Sequence, residues 1–222
     1  EMKGDVILPG DDDYDEARLL WNKMHDKRPA IIARCEGVAD VIAAVNFART
    51  NNLLTAIRGG GHNVGGTGSC DGGIMINLSR MNSVHVNPKN QTVRVGGGAS
   101  HFDVDRETQV AGLAIAAVVS TTGIAGLTLG GGLGHLRRKH GLAIDNLLSV
   151  DIVTADGQFL TASTTENPEL FWGVRGGGGN FGVVTSFLFK AHPVGPNVAF
   201  VACWYPADNA KELLLKWSKY MD

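Results

Sequence analysis

Thirty of the 222 residues are glycine, and eighteen of them fall in three stretches: IRGGGHNVGGTG (57–68), GLTLGGGLGHLRRKHGLAIDN (126–146) and GVRGGGGNFGVVT (173–185). Glycine loses more conformational freedom on folding than any other residue and adds no side chain to a core. Runs of it between apolar segments therefore mark places where the backbone must come close to something. In the first cluster a single imidazole, His62, follows Gly59-Gly60-Gly61. Successive unobstructed N–H groups in a tight loop form a concavity suited to a phosphate or pyrophosphate. The plainer alternative is a hairpin tip carrying a surface histidine. Arg58, ending an apolar strand just before the loop, and the further glycines downstream favour the anion site.

The segments around these clusters read as a mixture of short strands and helices. Residues 28–34 read as a buried strand, and Val38, Val41, Ile42 and Val45 mark one face of a helix. A strand at 53–58 completes a β-α-β opening that runs into the glycine loop. Residues 72–78, 83–87 and 91–98 read as successive strands with turn residues between them. Ser100 followed by Asp103 reads as a helix start, the helix continuing to about Ala111. Residues 145–161 give a strand, an Asp-Gly hairpin turn and a returning strand. Pro168 opens a helix that stops at glycine, and 181–192 is a long strand. Ala210, Leu213, Leu214 and Trp217 form a closing helical stripe.

Several function classes are excluded or disfavoured. The net charge is −2, and Arg137-Arg138-Lys139 is the one basic run, so no nucleic-acid partner is expected. No apolar run approaches the roughly 20 residues that span a bilayer, so no membrane partner is expected either. The opening residues lack the pattern of a signal peptide. Cys35, Cys70 and Cys203 are odd in number and dispersed, which disfavours a disulfide framework or thiolate metal site; a reducing cytoplasm is the default expectation. His135 and His140 are five apart, about 140° around a helix, and cannot share a metal. Gly177, Gly179 and Gly182 make a formal G-x-G-x-x-G, but a helix precedes it and a strand follows, the reverse of a nicotinamide-dinucleotide site. There is no Walker A sequence and no Gly-x-Ser-x-Gly elbow. In the second cluster, Gly130-Gly131-Gly132 precedes an expected helix at 133–140 whose N-terminal end could face an anion.

Taken in order, RGGGHN, GGIMINLSRMN, GLTLGGGLGHLRRKHGLAIDNLLSVDIVTADG and ELFWGVRGGGGNFGVVT resemble the FAD-binding domain of the berberine bridge enzyme-like oxidoreductases, in the vanillyl-alcohol oxidase/p-cresol methylhydroxylase superfamily. The resemblance covers about residues 28–195. It implies an α+β fold, a p-cresol methylhydroxylase-type FAD-binding domain of two α/β subdomains with mixed sheets. The expected layout is an N-terminal segment 1–27, an FAD domain 28–197 divided near residue 100, and the start of a truncated substrate-binding domain at 198–222. Arg58, Gly59, Gly60, Gly61, His62 and Asn63 would wrap the pyrophosphate, with His62 bonded covalently to the flavin 8α-methyl. Val119, Thr122, Gly123, Ala125 and Leu127 would run along the isoalloxazine, and Asn146, Val183 and Val184 would line the cofactor. A small-molecule substrate would lose a hydride to the flavin, with molecular oxygen as acceptor. Relatives that link flavin twice use a cysteine where this chain has Val119, so a single link is implied. The resemblance supplies no catalytic base within these residues. Members run to about twice this length, so the missing C-terminal half, or self-association, would complete the chain. A dehydrogenase with another electron acceptor, or a flavin-binding module without turnover, remains the alternative reading.

Overall fold

The computed structural model describes residues 2–116, 118–195, 197–199 and 201–221. Its first layer is a four-stranded sheet. Strands β1 (Asp5–Ile7), β2 (Ile31–Arg34), β3 (Thr55–Arg58) and β4 (Ile74–Asn77) lie in the order β1-β2-β4-β3. β2 and β3 both pair parallel to β4, while β1 closes one edge antiparallel. Every residue of β4 is buried, as expected for a central parallel strand covered on both faces. Ile74 and Ile76 pack with Val41, Ala44, Val45 and Ala48 of helix α2 (Val38–Thr50). Met75 faces the other way, onto Tyr14 and Ala17 of helix α1 (Tyr14–Arg18).

The second sheet comprises β5 (Val84–Asn87), β6 (Thr92–Gly96), β8 (Leu147–Val153), β9 (Phe159–Ser163) and β10 (Val183–Lys190), in the order β5-β6-β10-β8-β9, all antiparallel. β7 (Leu113–Ala114) and β11 (His192–Pro193) form a separate two-stranded ribbon. Helices α3 (His101–Thr108), α4 (Ile124–Leu129) and α6 (Pro168–Val174) contribute Val104, Ile124 and Phe171 to the core under this sheet, with Phe187 and Phe189. The expected capping box holds α3: the Asp103 N–H donates to Ser100 Oγ, and the Ser100 N–H donates to the Asp103 carboxylate at 2.8 Å. Gly157 sits at φ +82° in the expected hairpin turn between β8 and β9. Val153 and Val183 reach across into the core of the first sheet and join the two layers.

Strands β5 and β6 belong to the second sheet, β6 pairing with β10 and β5 with β6, so the sheets change over between Asn77 and Val84. One expectation differs from the structure. The helix expected over 133–140 is confined to the single turn α5 (Arg137–His140). Gly131 and Gly132 adopt φ +108° and +81°, which ends α4 and turns the chain back onto residues 143–144. The closing stripe does form a helix, α7 (Ala210–Met221), with none of its residues buried.

Candidate flavin site

Arg34, Asn77 and Arg58 stand in register at the carboxyl ends of the three parallel strands. They open with Arg80, Asp13 and Glu16 into a cavity of about 380 Å³. Crevices at that end of a parallel sheet are the usual place for a ligand. Arg58 Nη1 donates to the Ala17 carbonyl at 2.6 Å, while its Nε is buried without a partner. Among the described residues it has no carboxylate partner, in contrast to Arg34, which pairs with Asp5 and Asp13. Burial, and then the Arg34 cation, push its pKa down, so an anion brought beside it would be favoured.

The chain leaves β3 into Gly59-Gly60-Gly61. A Cβ on Gly60 would lie 2.5 Å from both the N and Cα of Gly123, and one on Gly123 would lie 2.5 Å from the Gly60 N. The two loops thus touch backbone to backbone. A Cβ on Gly59 would meet the Gly97 carbonyl at 3.1 Å and the Ala125 methyl at 3.4 Å. Gly97 in turn abuts the Val184 carbonyl, where a Cβ would come to 2.4 Å. Gly59, Gly60, Gly97, Gly123, Ala125 and Val184 therefore meet at one crossing, and five of these six are among the expected cofactor residues. The N–H groups of Gly59, Gly60, Gly61, His62 and Asn63 donate to no main-chain acceptor among the described residues. Gly61 is buried, and buried backbone donors in native folds are nearly always paired, so its N–H calls for an acceptor from outside the chain; the half-buried and exposed N–H groups beside it are free to join. The cradle, its unpaired donors and the desolvated Arg58 fit a pyrophosphate.

His62 is half-buried, and its ring lies nearly parallel to the Trp21 indole, with centroids 5.1 Å apart and planes 19° apart. The segment carrying Trp21 straps the loop. The Trp21 N–H donates to the Gly61 carbonyl at 3.1 Å, and a His25 ring nitrogen lies 2.7 Å from the Val64 carbonyl. Lys27 Nζ donates to the Gly66 and Ser69 carbonyls.

The remaining expected residues fall less uniformly. Thr122 is half-buried with its carbonyl bonded to the His101 N–H, Leu127 is half-buried on α4, and Val119 is exposed. Val183 and Val184 are buried in the strand cores. Asn146 is buried with its side chain fully engaged: Nδ2 donates to the His140 and Leu142 carbonyls, and Oδ1 lies 2.6 Å from His192 Nε2. Any contact it makes with a cofactor would be through its backbone. The second and third glycine clusters differ from the first. A Cβ on Gly132 would lie 2.3 Å from that of Ala143, while Gly173 and Gly177 leave room for the Phe181 ring. Those glycines serve close packing within the chain. Sequence reasoning missed Trp21 and the Gly96-Gly97-Gly98 crossing; the latter is visible as a fourth glycine run closing a strand.

A family model described as an FAD binding domain matches residues 29–163. The chain belongs to this FAD-binding domain family. Its relatives are FAD-linked oxidoreductases of the berberine bridge enzyme-like type. (R)-6-hydroxynicotine oxidase of Paenarthrobacter nicotinovorans is 43% identical over 185 residues, covering 83% of this chain and 40% of that protein. The crystal structure of 6-hydroxy-D-nicotine oxidase from Arthrobacter nicotinovorans superposes with a TM-score of 0.85 at 41% identity, over 87% of this chain and 43% of the other. Glucooligosaccharide oxidase from Acremonium strictum, whose structure is described as carrying 6-S-cysteinyl, 8α-N1-histidyl FAD, superposes at 0.80 with 32% identity, over 85% and 40%. The chain spans less than half the length of these relatives. Among the described residues no helix is long and apolar enough to cross a membrane, and no acid, histidine or cysteine cluster could hold a metal.

Proposed function

We propose that this FAD-binding domain chain is the cofactor-holding part of an oxidase in which His62 carries the flavin covalently. The row of unpaired N–H groups from Gly59 to Asn63, running up to the His62 imidazole, carries the reading. Those amides and Arg58 would hold the pyrophosphate; the Gly60–Gly123 contact fixes the loop. Neutral imidazole is a competent nucleophile near neutral pH, and the name of the Acremonium enzyme's cofactor supports a histidyl linkage. The flavin, when bound, would supply the two-electron chemistry that accepts a hydride from a small organic substrate and passes electrons to molecular oxygen. What the chain's residues do is place, orient and anchor it. Residues 28–197 make up this part, and we assign 198–222 to the beginning of a substrate-binding domain. The exposed Leu214, Leu215 and Trp217 of α7 favour a covering surface, from further chain of that domain or from a second copy.

Purified holoprotein should stay yellow and fluorescent in a denaturing gel and after acid precipitation, and His62→Ala should release its flavin into the acid supernatant. Free flavin from the unsubstituted holoprotein would remove the covalent reading. A chain that takes up no FAD at all would remove the proposal.

A further inference from the structure

We infer that Trp21 is a positioning residue for bond formation at His62, an inference that rests on the covalent reading above. Histidine rotates freely about a broad second side-chain torsion, yet a nitrogen must present its in-plane lone pair to the reacting carbon at roughly 3–3.5 Å. Among the described residues the indole stack is the contact that orients this ring, since no hydrogen bond holds either of its nitrogens. A face-on stack fixes the plane while leaving the in-plane nitrogens clear, which a hydrogen bond could not do without occupying one of them.

The indole also suits the charge that develops. In the linking step the imidazole nitrogen bonds to the 8α-carbon, the methyl and the ring each give up one proton, and the electron pair passes through the flavin to molecular oxygen, forming hydrogen peroxide. Between attack and proton loss the imidazole is cationic, and a tryptophan face is the strongest of the aromatic partners for a cation. Trp21 is held in place by its own main chain, through its backbone N–H to the Gly61 carbonyl, and the residue is 66% exposed. Substitution should therefore remove the stack without disturbing the core or the strap.

The test is the rate at which flavin-free protein, mixed aerobically with FAD, acquires flavin that survives acid quench and denaturing electrophoresis. Trp21→Ala and Trp21→Leu should slow this by roughly two- to twelvefold, the factor corresponding to the ~0.5–1.5 kcal/mol of a stacked aromatic pair. Trp21→Phe should recover most of the rate, and the dissociation constant for FAD before the bond forms should be unchanged in all three. A purely structural strap would instead weaken that first binding and would not distinguish leucine from phenylalanine. Equal rates in Trp21→Ala and the unsubstituted chain, or failure of phenylalanine to rescue, would overturn this inference alone. No bond in the unsubstituted chain would overturn both it and the covalent reading.

Discussion

Gly60→Ala should damage both stability and flavin binding, while Gly59→Ala, one residue away, should be mild. At Gly60 the added methyl would sit 2.5 Å from the Cα and N of Gly123, against main chain that no rotamer change can move. At Gly59 the nearest atoms are a carbonyl at 3.1 Å and a methyl at 3.4 Å, a shortfall that small shifts can absorb. Neither glycine has a positive φ, so the difference is one of space alone. Forcing a methyl into a closed contact costs about 1–3 kcal/mol, and in a domain of this size each kcal/mol lowers the melting temperature by roughly 2–4 °C. Gly60→Ala should therefore melt about 2–12 °C lower, with Gly59→Ala within about 2 °C of the parent. Because the clash pries the loop from Gly123, it should also misalign the N–H row and raise the FAD dissociation constant, read by quenching of flavin fluorescence. Gly123→Ala should act alike, since it fills the same gap from the other side. If Gly60→Ala melts and binds FAD like Gly59→Ala, the backbone contact does not hold the loop.

Other outcomes follow from the same structure. His101 is buried with both ring nitrogens unpartnered, and burial lowers its pKa to about 4. The unfolded chain, with histidine near 6.5, then takes up the proton first, so stability should fall as pH drops from about 6.5 toward 4; between pH 7 and pH 5 this one group removes about 2 kcal/mol. Urea midpoints at the two pH values should show this loss, and His101→Phe should shrink it. Peptide mass mapping of holoprotein should find flavin on the His62 peptide alone. Val119 offers no nucleophile, and burial raises the thiol pKa of Cys35 to about 12 and that of Cys70 above its ordinary value; flavin on a cysteine peptide would refute the single link. The 222-residue chain should self-associate with concentration or bind a hydrophobic dye through α7, and Leu214→Glu with Trp217→Glu should reduce both. A dye-silent monomer at high concentration would contradict this.

The sequence by itself determined the features whose causes lie within a few residues. The Ser100–Asp103 cap, the Asp156-Gly157 turn, the Pro168 helix start and the apolar face of α2 formed where the pattern placed them, because their hydrogen bonds and periodicity are local. The RGGGHN run was legible as a loop for the same reason, but its open donors were not: the N–H groups of Gly96-Gly97-Gly98 are all paired within the chain, and those of Gly59-Gly60-Gly61 are not. Only the tertiary structure decided which glycines keep open N–H groups and which segments of the chain each glycine packs against. Gly60 meets Gly123, and Gly173 meets Phe181, through contacts between segments that no local pattern pairs. It likewise decided that β5 and β6 join β10, because strand partners are chosen by which apolar faces bury one another, and a strand of four or five residues carries no mark of its partner. The seating of Trp21 on His62 belongs to the same class: both residues stand plainly in the sequence, but the distance between them exists only once α1 and the first sheet have packed.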